Sequence, residues 1–111
     1  MITGAKFIPP SELEKLLPRV QKGEYVLLDI RTAGEFRSGH ISYARLIPVD
    51  ELEKRVSELD GNKKLVIYCR SGKRCLRALT MLTGEGREEV MVLEGGIERW
   101  PGGLVTDHQE R

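Results

Sequence analysis

The chain has 111 residues, a length that suits one domain with a core of its own. A net charge of +1 gives no basic or acidic excess that would mark a nucleic-acid or membrane-surface binder, and no stretch approaches the roughly 18 apolar residues of a membrane span. The opening "MITGAKFIPP" lacks the apolar core of a signal peptide, so a cytoplasmic setting is expected, with thiols kept reduced.

In chain order, "PPSELEKLLPRV" predicts a helix with Ser11 as N-cap, Glu14 completing a capping box and Pro18 ending or kinking it. "EYVLLDI" is a buried strand, from its short apolar run. "TAGEFRSGH" is polar, holds two glycines and is expected to form a loop with one helical turn. "ARLIPV" gives a short strand broken by Pro48, and Asp50 caps a helix through "ELEKRVSEL" with Leu52, Val56 and Leu59 at helical spacing. After the turn "DGNKK", "KLVIYC" is the strongest strand in the chain. "RCLRALTML" predicts a helix carrying Leu76, Leu79 and Leu82 on one side, stopped by Gly84 and Gly86. "EVMVLEGG" reads as another strand, "IERW" as a final short helix and "VTDHQER" as a frayed tail. Strands alternate with helices and read as unbroken apolar runs, which predicts a mostly parallel sheet covered on both faces.

Ligands of such sheets bind beyond the carboxyl ends of the strands, and Cys69 stands at one such end. The stretch "YCRSGKRC" carries both cysteines of the chain around Arg70, Lys73 and Arg74. A thiolate is the nucleophilic form of cysteine, and nearby cations and a helix N-terminus favour it. Ser71 and Gly72 are small enough for the backbone to curl its N–H groups into an anion-binding nest around the sulfur. Against this, a cysteine ending an apolar strand is often a plain core residue. A phosphate-binding P-loop is excluded by Ile67 and Arg74 at its glycine and hydroxyl positions, and the cysteine spacing suits neither a zinc site nor a C-x-x-C redox pair. A cysteine phosphatase would need arginine at position 75, which is Cys75.

Three segments together resemble the single-domain rhodaneses, the thiosulfate sulfurtransferase-like family. They are "LLDIRTAGEFRSGHISYARLIP", "VIYCRSGKRC" with its six-residue loop, and "VLEGGIERWPGGL". The resemblance implies an α/β three-layer fold over residues 1–111, with its core at about 7–105, a tail at 106–111, and a five-stranded, mostly parallel sheet between helices. It implies ping-pong chemistry. Cys69 takes the outer sulfur of a donor such as thiosulfate, and its persulfide passes that sulfur to a thiol or to cyanide. Arg70, Ser71, Gly72, Lys73 and Arg74 would bind the substrate, and Asp29 and Arg31 would support the site. No cofactor or metal is implied. A domain that relays persulfide sulfur for a protein partner, with little activity on thiosulfate, is the alternative. Glu35 is expected to pair with an arginine, His40 to be structural and Trp100 to pack in the core, while His108 belongs to the tail. Cys75 stands where serine is common and is expected to be an inert replacement, the alternative being that it resolves an oxidised Cys69 or accepts its sulfur. Tyr43 stands where a glycine is common, and Arg87 follows Gly86 where a phenylalanine is common.

Overall fold

The computed structural model describes residues 6–87 and 89–106. Five strands, β1 (Lys6–Ile8), β2 (Tyr25–Asp29), β3 (Arg45–Leu46), β4 (Lys64–Tyr68) and β5 (Val90–Leu93), form one sheet in the order β1-β5-β4-β2-β3. Every pairing between them is parallel, with Asp29 opposite Tyr68 at the carboxyl end of the central pair. The helices are α1 (Pro10–Gln21), α2 (Ala33–Ser38), α3 (Val49–Arg55) and α4 (Lys73–Gly84), with short 3₁₀ turns at Val56–Glu58 and Ile97–Arg99. Among the described residues no helix is long and apolar enough to cross a membrane.

Side chains alternate across a strand, so β4 feeds two separate cores. Leu65, Ile67 and, one residue past the strand, Cys69 join Leu52, Ala78, Leu79 and Leu82 on the α3–α4 face. Val66 and Tyr68 join Leu13, Val20 and Phe36 on the α1–α2 face. This alternation sends the thiol toward the start of α4 and the neighbouring phenol to the opposite side of the sheet.

Several expectations need correction. Helix α1 begins at Pro10 with Pro9 as its N-cap, so Ser11 lies inside the first turn and makes no cap. Proline at the first helical position has no N–H to leave unpaired, which makes it the better start. Pro18 neither ends the helix nor stands at its end. The carbonyl it leaves without a donor belongs to Glu14, and both residues are exposed, so water can serve it. Likewise Pro48, not Asp50, caps α3, and the Asp50 carboxylate instead meets Arg77 at 2.7 Å on the surface. On α4, Leu76 is 56% exposed, and the inward stripe is Cys75, Ala78, Leu79 and Leu82. At 3.6 residues per turn, positions 75, 79 and 82 share a direction that 76 leaves.

The segment expected to be a loop with one helical turn is the six-residue helix α2, closed by a reciprocal capping box. Thr32 Oγ1 accepts from the Glu35 N–H at 3.2 Å, and Glu35 Oε1 accepts from the Thr32 N–H at 2.9 Å. Strand β1 had no signal of its own, since only Ile8 of its three residues is buried. The tail is held at Val105, which exchanges backbone hydrogen bonds with His40. The rest of the expected tail from Asp107 onward, His108 included, lies outside the described residues.

Candidate active site

The turn from β4 into α4 puts Cys69 at the carboxyl edge of the sheet, beneath the exposed residues Arg70 and Ser71. Gly72 adopts φ +109°, in the left-handed region that favours glycine, and this reversal brings the first turn of α4 back over the strand end. The Gly72 N–H donates to Cys69 Sγ at 3.0 Å. The thiol of Cys75 and the backbone N–H groups of Cys75 and Arg74 also favour the charged form of this sulfur. The hydrogen bond from the Cys75 thiol is the strongest influence. Together with the three N–H groups it overcomes burial and lowers the Cys69 pKa to about 5. Of the two small residues expected to let the backbone curl, Gly72 turns its own N–H onto the sulfur, and Ser71 is exposed.

This makes a measurable claim. The ultraviolet thiolate absorbance of the protein, taken as a difference from Cys69→Ser, should appear with a midpoint about pH 5, and a midpoint at the ordinary ~8.5 would contradict it. The sign for stability follows. The folded pKa lies below the unfolded one, so the thiolate's contribution is complete above the unfolded value and is lost as pH falls through about 5.

The three cations of the loop are not equivalent. Arg74 grips Glu35 of α2 with both guanidinium nitrogens, at 2.8 and 3.0 Å, and this pairing holds the Glu35 carboxyl at about 2. The expected Glu35–arginine pair is thus Arg74, which ties the start of α4 to α2. Arg70 Nε meets Glu98 at 3.3 Å, with both side chains largely exposed. Lys73 is exposed and forms no ion pair among the described residues.

Asp29 and Arg31 form a buried ion pair behind the loop. Arg31 Nε donates to Asp29 Oδ1 at 2.9 Å, and Nη2 donates to Oδ2 at 2.7 Å and to the Gly39 carbonyl at 2.7 Å. Tyr68, which the sequence reading did not single out, completes the network. Its hydroxyl donates to Asp29 Oδ2 at 2.7 Å and accepts from the Ile41 N–H at 3.1 Å. The signal for it was its register opposite Asp29, which is visible only once the strands are paired. These contacts pin the 31–41 segment to the sheet edge. His40 is buried there, with Nδ1 2.9 Å from the Phe36 carbonyl and its ring stacked on Phe36. Trp100 is half-buried against the α1–α2 core.

The glycine pair after β5 has a definite task. Gly96 has φ +64°, and a Cβ there would lie 2.7 Å from the Cys69 carbonyl oxygen. The close approach lets the Ile97 N–H reach the Cys69 carbonyl at 2.9 Å and the Glu98 N–H reach that of Arg70 at 3.2 Å. Two peptide planes of the loop are thereby held from β5.

Of the three family departures, Cys75 is placed above, and Tyr43 occupies its glycine-like position with φ +69° and is 47% exposed. Arg87 lies at the opposite end of the sheet, where it donates to the Leu59 carbonyl at 2.6 Å. Two clefts flank the loop. One of about 550 Å³ is lined by Pro10, Ser71, Glu94 and Arg99, and one of about 490 Å³ by Arg31, Glu35, Arg70 and Leu104. Cys69 lines neither and is 1% exposed, so a small donor has no open approach to it in this conformation. Among the described residues no cluster of three or more His, Cys, Asp or Glu side chains is placed to hold a metal.

Comparison with known proteins gives a consistent picture. The family model for the rhodanese-like domain matches residues 10–102. A sulfurtransferase of Allochromatium vinosum is 41% identical over 88 residues, covering 78% of this chain and 82% of that protein. The uncharacterized protein YqhL of Bacillus subtilis is 38% identical over 76 residues, covering 68% of this chain and 60% of YqhL. Among solved structures, a rhodanese-like domain protein from Staphylococcus aureus superposes with a TM-score of 0.80 at 28% identity, covering 92% of this chain and 98% of that one.

Proposed function

Because the chain belongs to the rhodanese-like domain family, we propose that it is a sulfurtransferase that carries sulfane sulfur on Cys69. One observation carries this reading: the Gly72 N–H donates to the Cys69 sulfur at 3.0 Å at the start of α4, in surroundings that lower its pKa to about 5. The thiolate attacks the outer sulfur of thiosulfate, the sulfur–sulfur bond breaks and sulfite leaves with the bonding pair. An acceptor thiolate, or cyanide, then attacks the outer sulfur of the resulting persulfide and Cys69 departs as a thiolate. A low pKa serves both halves, since it supplies the nucleophile first and a good leaving group afterwards. The N–H groups stabilise the charge each time it returns to Sγ. Because Cys69 is 1% exposed, entry of the donor requires the exposed residues Arg70 and Ser71 to move.

Weighing the intact protein after incubation with thiosulfate and desalting tests this. One sulfite released per chain is expected, with the added sulfur atom retained in Cys75→Ser, and an unchanged mass with no sulfite from either protein would overturn the proposal.

Donor capture falls mainly to Lys73, whose charge is uncommitted, whereas Arg74 is held by Glu35. Lys73→Ala should raise the thiosulfate KM about fivefold, the effect of the ~1 kcal/mol that two unit charges at ~4 Å exchange in water. It should leave the KM of an uncharged donor unchanged. Arg74→Ala should instead lower kcat, and Glu35→Gln should reproduce that loss. Equal effects of Lys73→Ala on both donors in steady-state assays would rule out electrostatic capture.

The relay reading keeps one supporting observation. Leu76 in the first turn of α4 and Leu104 beside Arg70 are 56% and 47% exposed, apolar surface that a protein partner could cover while opening the loop over Cys69.

A further inference from the structure

Cys75 favours the Cys69 thiolate, yet no bond to its own sulfur is made or broken in the transfer described above. Both cysteines are free, both are 1% exposed, and they lie in one buried cluster beneath α4, where the Cys75 side chain is the largest influence on the Cys69 sulfur. No external thiol reaches the Cys69 sulfur in this arrangement, whereas Cys75 shares its buried cluster. Resting on the persulfide reading, we propose that Cys75 is a resolving thiol that discharges the carried sulfur as sulfide and leaves a Cys69–Cys75 disulfide.

The step balances without an added oxidant. The Cys75 sulfur attacks Sγ of the Cys69 persulfide, the bond from Sγ to the outer sulfur breaks, and the outer sulfur leaves with the electron pair. The Cys75 proton passes to it, so a persulfide anion and a thiol become a disulfide and hydrosulfide. The sulfane sulfur is reduced, and the two cysteine sulfurs are oxidised together. Geometry selects the inner sulfur. Displacement at divalent sulfur is collinear, and a thiol in contact with Sγ cannot also lie beyond the outer sulfur on the line of the bond. Cys75 therefore resolves the persulfide rather than accepting its sulfur.

Loading also prepares the step. In the resting site the hydrogen bond to Cys69, burial and the Cys69 charge all hold the proton on Cys75. Once Cys69 carries sulfur, the negative charge moves one atom outward and this restraint weakens. An abundant acceptor drains the outer sulfur first, and a scarce one leaves it to Cys75. The chain then releases sulfide and waits for a thiol reductant to reopen the disulfide.

The test loads the full chain with thiosulfate, without acceptor or oxygen, and follows sulfite, sulfide and intact mass together. Wild type should release one sulfite and one sulfide per chain and end two hydrogens lighter. Cys75→Ser and Cys75→Ala lose a group that favours the Cys69 thiolate and should take up sulfur more slowly, but once loaded they should have released the sulfite and should keep the added sulfur, with sulfide release lower by at least about tenfold. The yield of sulfide per chain should not change with protein concentration. Sulfite with a lasting persulfide in wild type, sulfide at equal rates from all three proteins, or a yield that rises with concentration would each overturn the resolving role. Absence of sulfite would remove the persulfide itself and the inference with it, and the sulfite count separates that failure from the others.

Discussion

Cys69→Ser should abolish sulfur loading from thiosulfate, with sulfite release falling by about 10³-fold or more, the scale on which removal of a covalent nucleophile acts. A serine hydroxyl stays protonated in the same nest and forms no persulfide. The substitution should spare the fold, because the oxygen can accept from the same N–H groups and occupies slightly less space in a core that α4 already closes. Sulfite kinetics and intact mass provide the readout, with the melting temperature as the control for folding. Loading that survives in Cys69→Ser and disappears in Cys75→Ser would move the nucleophile to Cys75 and end the present assignment.

Asp29→Ala should be the most damaging change to stability, at about 3–5 kcal/mol, because it strands a buried guanidinium. Asp29 is fully buried and the Arg31 side chain is only 7% exposed, so water cannot replace the lost carboxylate. Burial opposes the charge on Arg31, and the hydrogen bonds and charge of Asp29 more than offset it. The Tyr68 hydroxyl loses its acceptor in the same stroke. For a domain with a total stability of about 5–15 kcal/mol the loss is severe. Urea unfolding should show a lower midpoint at an unchanged slope. Adding Arg31→Met to Asp29→Ala should recover part of the loss, since the unpaired charge is then gone. A double variant no better than the single one would mean that the carboxylate acts through its backbone contacts and not through the ion pair.

Much of the fold was legible because its signals are local. The runs "YVLLD", "KLVIY" and "VMVL" are short, apolar and bounded by turns, and each became a strand buried on both faces. The place of Cys69 at a strand end was legible because the apolar run before it stops there, and a parallel sheet offers its functional edge at such ends. The capping box of Thr32 and Glu35 was equally local and was missed behind the two glycines of its segment. Strand β1 could not be found by pattern, since three residues with one buried side chain carry no period. Its place comes from pairing with β5.

The identity of the groups around the sulfur was another matter. Nothing in the order Arg70, Lys73, Arg74 tells which cation is free, because Glu35 lies 39 residues away and Glu98 lies 28 away. The same holds for Tyr68, whose hydroxyl finds Asp29 only across the paired strands. Gly96 reads as turn punctuation until β5 is set beside the loop, where its missing side chain admits the Cys69 carbonyl.

By itself, then, the order of residues determined the alternation of strands and helices, the strand end that holds the thiol and the glycine that turns the chain after it. These depend on periodicity and on backbone torsions, which neighbours in the chain control. Only the tertiary structure decided that the sulfur would be covered, that Arg74 would be committed to Glu35 while Lys73 stayed uncommitted, and that Cys75 would face Cys69. Contacts between distant side chains depend on which faces the packed elements turn toward one another, and a chain's local pattern does not encode that.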